Sequence, residues 1–186
     1  NADAILRRLA GRYSPKSIHF KHHRADNRQY INKYWRIQPM DRIDAQLLDL
    51  LQREGRLSVA ELAERVALSQ SPCARRLKRL EDSGLIAGYR AVLDRQALQL
   101  GTTVFVNVRL MHHRADAVQQ FEAAMQAMAE VISCHVVSGS HDYLLEVVVG
   151  ALGDYEQIVR RLQALPVVQD INSSFAIRCV KSGAPL

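Results

Sequence analysis

This 186-residue sequence lacks long apolar runs, paired cysteines and repetitive glycine or proline. No apolar run approaches the roughly 18 residues that a membrane-spanning helix needs. The three cysteines lie far apart and are odd in number, which excludes a small disulfide-stapled scaffold and favours a reducing compartment. Nine glycines and five prolines are too few for a fibrous or low-complexity chain. The first residues also lack the layout of a secretory signal, so we expect a cytoplasmic location.

Acidic residues are scarce at the beginning of the chain. Residues 1–39 contain nine Lys or Arg and two Asp or Glu, whereas residues 40–186 contain 16 basic and 17 acidic residues. The net charge of +6 therefore belongs to the first segment. Two interpretations stay open for this segment: a basic arm that contacts nucleic acid, or a leader or translated upstream sequence that precedes a natural start at Met40.

From Met40 onward, apolar residues recur at helical spacing in three short stretches. The predicted helices cover about residues 43–54, 58–66 and 69–83. Gly55 and Gly84 are the expected ends of the first and third helices. Ser58 and Glu61 have the spacing of a capping box at the start of the second. Three closely spaced helices, each with one apolar stripe, predict a compact trihelical unit.

The third predicted helix has an apolar side and a basic side. Its inward residues are Cys73, Leu77 and Leu80, and the residues pointing outward are Gln70, Ser71, Ala74, Arg75, Lys78 and Arg79. A basic helix face after a tight turn is the arrangement of a helix-turn-helix, whose second helix enters the major groove of DNA.

Cations and amide groups on this face have the chemistry that DNA contacts require. Lys and Arg neutralise phosphates, Arg pairs with guanine and Gln pairs with adenine. The predicted DNA-binding residues are Ser69, Gln70, Ser71, Arg75, Lys78 and Arg79. The alternative is that these cations only solvate an exposed helix face. Arg76 borders the apolar stripe, and we expect it to brace the unit through an acidic partner such as Glu81 or Glu61.

The remaining chain alternates strand-like and helix-like stretches. Residues 85–93 look like an extended connector, and residues 94–100 like a short turn or helix. The predicted order is a strand at 102–110, a helix at 115–129, strands at 131–137 and 143–149, a helix at 153–165, and a last strand within 168–180. This βαββαβ order is typical of a ferredoxin-like antiparallel sheet with both helices on one face. Both sides of the stretch 104–110 look largely apolar, which predicts a homodimer through this domain.

The predicted fold class is therefore α+β, with an N-terminal trihelical helix-turn-helix domain and a C-terminal βαββαβ ferredoxin-like domain. The expected boundaries are 1–39 for the basic leader or arm, 40–86 for the DNA-binding domain, 87–101 for a linker strand and turn, and 102–182 for a second domain of effector binding and oligomerisation.

Two sequence blocks resemble the Lrp/AsnC family of transcription regulators. They are DRIDAQLLDLLQREGRLSVAELAERVALSQSPCARRLKRLEDSGLIAGYRAVLD at residues 41–94 and VISCHVVSGSHDYLLEVVV at residues 131–149. The resemblance covers about residues 40–181, and residues 1–39 depart from it. It implies that the third helix binds double-stranded DNA and that the second domain binds a small amino acid where subunits meet.

The resemblance also implies a location for the amino-acid site. The family's glycine-x-x-aspartate turn matches Gly139 to Asp142, and the implied effector-binding residues are Gly139, Ser140, His141, Asp142 and Tyr143. An aspartate can accept bonds from an α-ammonium group, and exposed turn amides can hold an α-carboxylate. The alternative is a hairpin turn in which Asp142 bonds its own backbone. Leucine or methionine would fit an apolar wall.

Other residue clusters do not have the spacing of a metal or catalytic site. No close-set ligand pattern is present among His112, His113, Cys134, His135, His141 and Cys179. Cys73 fits a helix core, and Cys134 and Cys179 fit strands. We expect no metal, no cofactor other than an amino-acid effector, and no catalytic residues.

These observations predict a sequence-specific DNA-binding transcription regulator that forms a dimer, tetramer or octamer and responds to an amino acid. Two alternatives remain: a nucleoid-type architectural DNA-binding protein, and an amino-acid sensor or enzyme without DNA function.

Overall fold

A computed structural model describes residues 40–186 of the chain, so the two interpretations of the basic segment 1–39 lie outside the described residues. The described part clusters into two compact units. The first contains residues 40–91 and Gly183–Leu186, and the second contains Val92–Ser182.

Three helices form the first unit: α1 at Arg42–Arg53, α2 at Val59–Arg65 and α3 at Gln70–Asp82. The first two helices begin at a polar capping residue, and α3 begins after Ser69, whose side chain makes no capping hydrogen bond. Asp41 and Asp44 form a reciprocal capping box at α1, and Ser58 and Glu61 form another at α2. The prediction of a trihelical helix-turn-helix unit is confirmed.

The core of this unit contains one stripe from each helix. The buried residues are Leu47, Leu62, Ala63, Val66, Cys73 and Leu80. Between α2 and α3 the chain turns through Ala67, which has a φ of 54° in the left-handed region. The amide of Leu68 donates to the carbonyl of Ala63 at 2.8 Å, which closes this turn. After α3, Gly84 adopts a φ of 76°, which only glycine reaches without strain.

The stretch between α3 and the first strand contains no regular secondary structure. The expected strand-like connector at residues 85–93 is therefore wrong as a strand. A strand needs a ladder partner, and none of the described residues pairs with this stretch. Asp94 then caps a turn, since its carboxylate accepts the amides of Gln96 at 2.9 Å and Ala97 at 3.1 Å. The short turn before residue 101 is confirmed.

The second unit has the predicted βαββαβ order. It contains β1 at Thr102–Leu110, α4 at Ala115–Ala127, β2 at Val131–Val136, β3 at Tyr143–Val149, α5 at Leu152–Gln163 and β4 at Val168–Phe175. The strands lie in the order β2-β3-β1-β4 and all pairs are antiparallel. The α+β class and the ferredoxin-like fold are confirmed.

Both helices cover one face of this sheet. Alternate β1 residues lie in the core with helix residues: Val104, Val106, Val108, Leu110, Phe121, Met125, Tyr155, Ile158 and Leu162. The opposite side of β1 contains Thr103, Phe105, Asn107 and Arg109, so only one of these four is apolar. The expectation of a largely apolar open face is therefore wrong for β1. Because side chains alternate between the two faces of a strand, the valines and the leucine of β1 all lie on the helix-covered face.

None of the helices in residues 40–186 is both long and apolar enough to cross a bilayer. Cys73 is buried in α3, and Cys134 lies on β2 with an exposed side chain. Cys179 was expected in a strand, but it lies beyond the end of β4 at Phe175 and is exposed.

Candidate nucleic-acid interface and candidate ligand turn

The N-terminal end of α3 presents small polar residues to solvent. Ser69, Gln70 and Ser71 are all exposed. The Ser69 side chain makes no capping hydrogen bond with the helix. Because Pro72 has no amide hydrogen, the third helical residue has no donor to satisfy. This end of α3 therefore has hydroxyl and amide groups available to an external acceptor such as a phosphate.

Two cations of α3 face solvent without strong internal partners. Arg75 is exposed and forms no ion pair with any residue in the described part of the chain. Lys78 lies 3.5 Å from the carboxylate of Asp82, and both side chains are more than half exposed. An exposed pair of this kind contributes little to stability. Both cations are therefore free to bind a polyanion.

The other two cations of α3 are held by carboxylates at the start of α1. Arg76 donates to Asp41 at 2.6 Å and to Asp44 at 2.9 Å. Arg79 donates to Asp44 at 2.5 Å. Arg76 was expected to brace the unit through Glu81 or Glu61, and the structure assigns this role to Asp41 and Asp44 instead. Arg79 was predicted to bind DNA, but its guanidinium already has a carboxylate partner inside the protein.

Hydrogen bonds and nearby charges shift the pKa values of Arg76 and Asp41. The bonds from Arg76 to Asp41 and Asp44 raise the pKa of that guanidinium. Burial raises the pKa of Asp41, but hydrogen bonds from the Asp44 amide and from Arg76 outweigh it, so the pKa lies below the ordinary 3.8. Asp41 and Arg76 are therefore both charged near neutral pH.

The second candidate site is the turn between β2 and β3. Gly139 has a φ of 122°, a value that other residues rarely adopt. The amide of Val137 donates to the carbonyl of Asp142 and the amide of Asp142 donates to the carbonyl of Val108, each at 2.9 Å. Between these anchors, the amides of residues 138–141 make no hydrogen bond within residues 40–186. They are available to an anion.

The Asp142 side chain connects the turn to β1 beyond the last backbone pair of β1 and β3. One carboxylate oxygen accepts the amide of Leu110 at 2.7 Å, and the other lies 2.7 Å from Nε2 of His113. Burial raises the pKa of Asp142, but the Leu110 amide, His113 and the nearby Arg109 charge outweigh it, so the net shift is downward. A carboxylate with these two partners still has lone pairs for a further donor.

Arg109 and His141 complete the turn. The guanidinium of Arg109 donates through Nε to the Ser140 carbonyl at 2.8 Å, and also through Nη2. The Ser140 hydroxyl lies 3.0 Å from Nδ1 of His141. The Arg109 side chain therefore fixes the tip of the turn to β1.

Tyr143 lies apart from the other predicted effector residues. Its ring is buried 4.5 Å from the ring of Phe121, centroid to centroid, and its hydroxyl donates to Glu122 at 3.1 Å. Burial and this bond raise the pKa of Tyr143 to about 12. The side chain belongs to the core because the first residue of β3 points toward the helices. The ring therefore does not reach the surface of the turn.

The sequence reasoning missed four residues that shape these sites: Asp41, Asp44, Arg109 and His113. Asp41 and Asp44 have the three-residue spacing of a helix cap, which could have located them. Arg109 breaks the apolar pattern of β1 and was a detectable signal. His113 gave no local signal, since its contact with Asp142 spans 29 positions of sequence. Within residues 40–186, no group of three or more His, Cys, Asp or Glu side chains could hold a metal ion.

Comparison with known proteins gives the same division of the chain into a nucleic-acid part and a ligand part. A family profile described as a winged helix-turn-helix DNA-binding domain matches residues 40–87. A profile described as the Lrp/AsnC ligand binding domain matches residues 103–186.

Individual relatives cover most of the chain. The leucine-responsive regulatory protein of Haemophilus influenzae is 39% identical over 143 residues, which are 76% of this chain and 86% of that protein. The DNA-binding transcriptional activator DecR of Escherichia coli is also 39% identical over 143 residues, with 94% of its length covered. Among solved structures, a transcriptional regulator from Neisseria meningitidis in complex with L-Met has a TM-score of 0.76 and 38% identity. The match covers 79% of this chain and 96% of that one.

Proposed function

Since the chain belongs to the Lrp/AsnC family of DNA-binding transcription regulators, we propose that α3 is its recognition helix and that the protein binds DNA in a sequence-specific manner. The proposed contacts are Ser69, Gln70, Ser71, Arg75 and Lys78. The observation that supports this choice is the difference in partners: Arg75 has no ion pair among the described residues and Lys78 has only the exposed Asp82, whereas Arg76 and Arg79 bind the buried Asp44. Arg79 is left out of the base and phosphate contacts for this reason.

The proposed mechanism uses two copies of the chain. Their α3 helices enter successive major grooves that are about 10 base pairs apart, or a multiple of that spacing. Arg75 and Lys78 neutralise phosphates and release counterions, while Gln70 reads base edges. The second unit associates the copies into a dimer or a larger assembly.

Replacement of Arg75 by alanine tests the recognition helix. We expect weaker DNA binding and a salt slope that is shallower by about 0.9, since one phosphate contact is lost. The assay is a fluorescence anisotropy titration between low and physiological salt. Arg160→Ala is the matched control, because this exposed arginine lies on α5 and pairs with Glu156. Unchanged affinity and slope in Arg75→Ala would reject the helix assignment.

We also propose that the turn at residues 139–142 binds a free amino acid. The Asp142 carboxylate would accept bonds from the α-ammonium group, and the unbonded amides of the turn would donate to the α-carboxylate. The solved relative from Neisseria meningitidis, which holds L-Met, and the leucine-responsive relatives support leucine or methionine as the effector. Because the turn is exposed, a second copy of the chain would supply the apolar wall.

Calorimetric titration with a panel of amino acids tests the effector proposal. We expect leucine or methionine to bind and to change the affinity for DNA, with a coupling free energy of about 1–3 kcal/mol.

The same DNA titrations, run on duplexes of selected and shuffled sequence, separate a specific regulator from an architectural protein. Equal affinity for both duplexes would favour the architectural role.

A further inference from the structure

Asp44 is the only buried charged residue among residues 40–186. Its side chain is 1% exposed, and it comes from the third position of α1. A buried carboxylate is unfavourable unless hydrogen bonds and opposite charges compensate it. Its partners are therefore central to the stability and geometry of the first unit.

The carboxylate of Asp44 has three donors from two elements. One oxygen accepts the amide of Asp41 at 3.2 Å and the guanidinium of Arg79 at 2.5 Å. The other accepts the guanidinium of Arg76 at 2.9 Å. Arg76 and Arg79 are three residues apart and lie on the same side of α3. The bonds therefore attach two successive turns of α3 to the first turn of α1.

These bonds restrict the rotation of α3 about its own axis, which the apolar core restricts less. Cys73 and Leu80 of α3 are buried and Leu77 packs partly buried beside them, so the apolar contact of this helix is one narrow stripe. At a side-chain radius of about 5–6 Å, a rotation of about 20° moves the tip of a side chain by about 2 Å. A hydrogen bond to a base edge tolerates a few tenths of an ångström. A phosphate contact by a long cation adapts more easily, because its attraction acts over several ångströms.

We propose that Asp44 is a positioning residue for base recognition: through Arg76 and Arg79 it fixes the rotation of α3 about its axis, and it keeps these two cations away from the DNA backbone. This inference rests on the proposal that α3 is the recognition helix. In this inference Arg79 supports base recognition by binding Asp44, and it does not contact a phosphate.

Asp44→Asn tests this inference, because asparagine retains the shape and one acceptor oxygen but lacks the charge. The guanidinium of Arg79 then loses its carboxylate partner and can reach a phosphate, whereas Arg76 still binds Asp41. We expect the salt slope to become steeper by about 0.9, for one added phosphate contact. We also expect the ratio of affinities for a duplex enriched from random sequence by the wild-type protein, and for its shuffled version, to fall at least tenfold.

The controls separate positioning from a loss of folded protein. Glu64→Gln removes the same charge from an exposed site on α2, and we expect it to leave the affinity ratio unchanged. If Asp44→Asn weakens binding to both duplexes by the same factor with an unchanged slope, its role is structural only and the inference is overturned. An unchanged ratio overturns it as well.

Arg79→Gln gives an independent test if Asp44→Asn does not fold. Its side chain is 40% exposed, so the substitution removes a guanidinium without creating a buried cavity. We expect a reduced affinity ratio with an unchanged salt slope. A slope that is shallower by about 0.9 would show that Arg79 contacts phosphate and would overturn the inference. If Arg75→Ala leaves binding unchanged, the recognition-helix proposal itself fails, whatever these variants do.

Discussion

Asp142 has two roles that substitutions can separate, one in the fold and one in the proposed amino-acid site. Its carboxylate accepts the Leu110 amide at the end of β1 and lies beside His113. Replacement by alanine leaves the partly buried Leu110 amide without an acceptor, which costs about 1–3 kcal/mol. The contact with the exposed His113 contributes at most about 1 kcal/mol. We therefore expect Asp142→Ala to lower the free energy of unfolding by about 1–3 kcal/mol.

Asp142→Asn is the informative partner of the alanine variant. Its side-chain oxygen still accepts the Leu110 amide, so we expect a loss of stability below about 1 kcal/mol. It lacks the charge that would hold an α-ammonium group, and a hydrogen bond to a charged group contributes about 1.5–3 kcal/mol. The affinity for leucine or methionine should therefore fall roughly 10- to 100-fold in Asp142→Asn, with DNA binding in the absence of effector unchanged.

Urea unfolding and calorimetry measure these two effects separately. Equal effector affinity in wild type and Asp142→Asn would refute the assignment of the turn as the amino-acid site. An alanine variant as stable as wild type would refute the structural role of the carboxylate.

The pH dependence provides a further check on Asp142. The folded-state pKa of Asp142 lies below the ordinary value of 3.8, so the ionised form is favoured by folding. Its contribution to stability is fully present above about pH 5 and is lost as the pH falls through the folded pKa. The stability difference between wild type and Asp142→Asn should shrink as the pH falls below about 4. A difference that grows on acidification would contradict the direction of the shift.

Two further predictions concern the packing of the second unit. A Cβ atom at Gly150 would lie 2.8 Å from the carbonyl oxygen of Gln99, so Gly150→Ala should destabilise the protein by about 1–3 kcal/mol. Gly153→Ala, where no atom lies within 4 Å, should leave stability unchanged or raise it by up to about 1 kcal/mol, and the reverse order in thermal unfolding would contradict this contact. Phe121 is fully buried against Tyr143, and Phe121→Ala should cost about 3–5 kcal/mol in urea unfolding. A cost below about 1 kcal/mol would show that the core collapses around the missing ring.

Local patterns predicted the regular elements well because each carries its own signals. The capping box of Ser58 and Glu61 and the stop at Gly84 defined helix ends through interactions within a few residues. The bounds of β1 at Thr102–Leu110 and β3 at Tyr143–Val149 followed from runs of apolar and β-branched residues. The stretch 85–93 was assigned to a strand on the same kind of pattern, and it failed because a strand also requires a partner.

The candidate sites were predicted less completely than the elements. The exposed face of α3 was located correctly in sequence, since helical periodicity separates Cys73 and Leu80 from Arg75 and Lys78. The same periodicity could not show that Arg79 faces Asp44, because their contact joins residues 35 positions apart. Likewise, strand alternation does not reveal by itself that the Tyr143 ring belongs to the core, since both faces of a sheet are equivalent until the helices cover one.

Local sequence patterns specify the order of helices and strands, the trihelical and βαββαβ units, and the family that their motifs resemble. These features depend on residues close together in the chain, where periodicity and capping act. The tertiary structure alone decided which cations of α3 are free, which carboxylates hold the others, and how Asp142 connects the turn to Leu110 and His113. Charges and hydrogen bonds depend on distances in space, and chain folding sets those distances between residues that are remote in sequence.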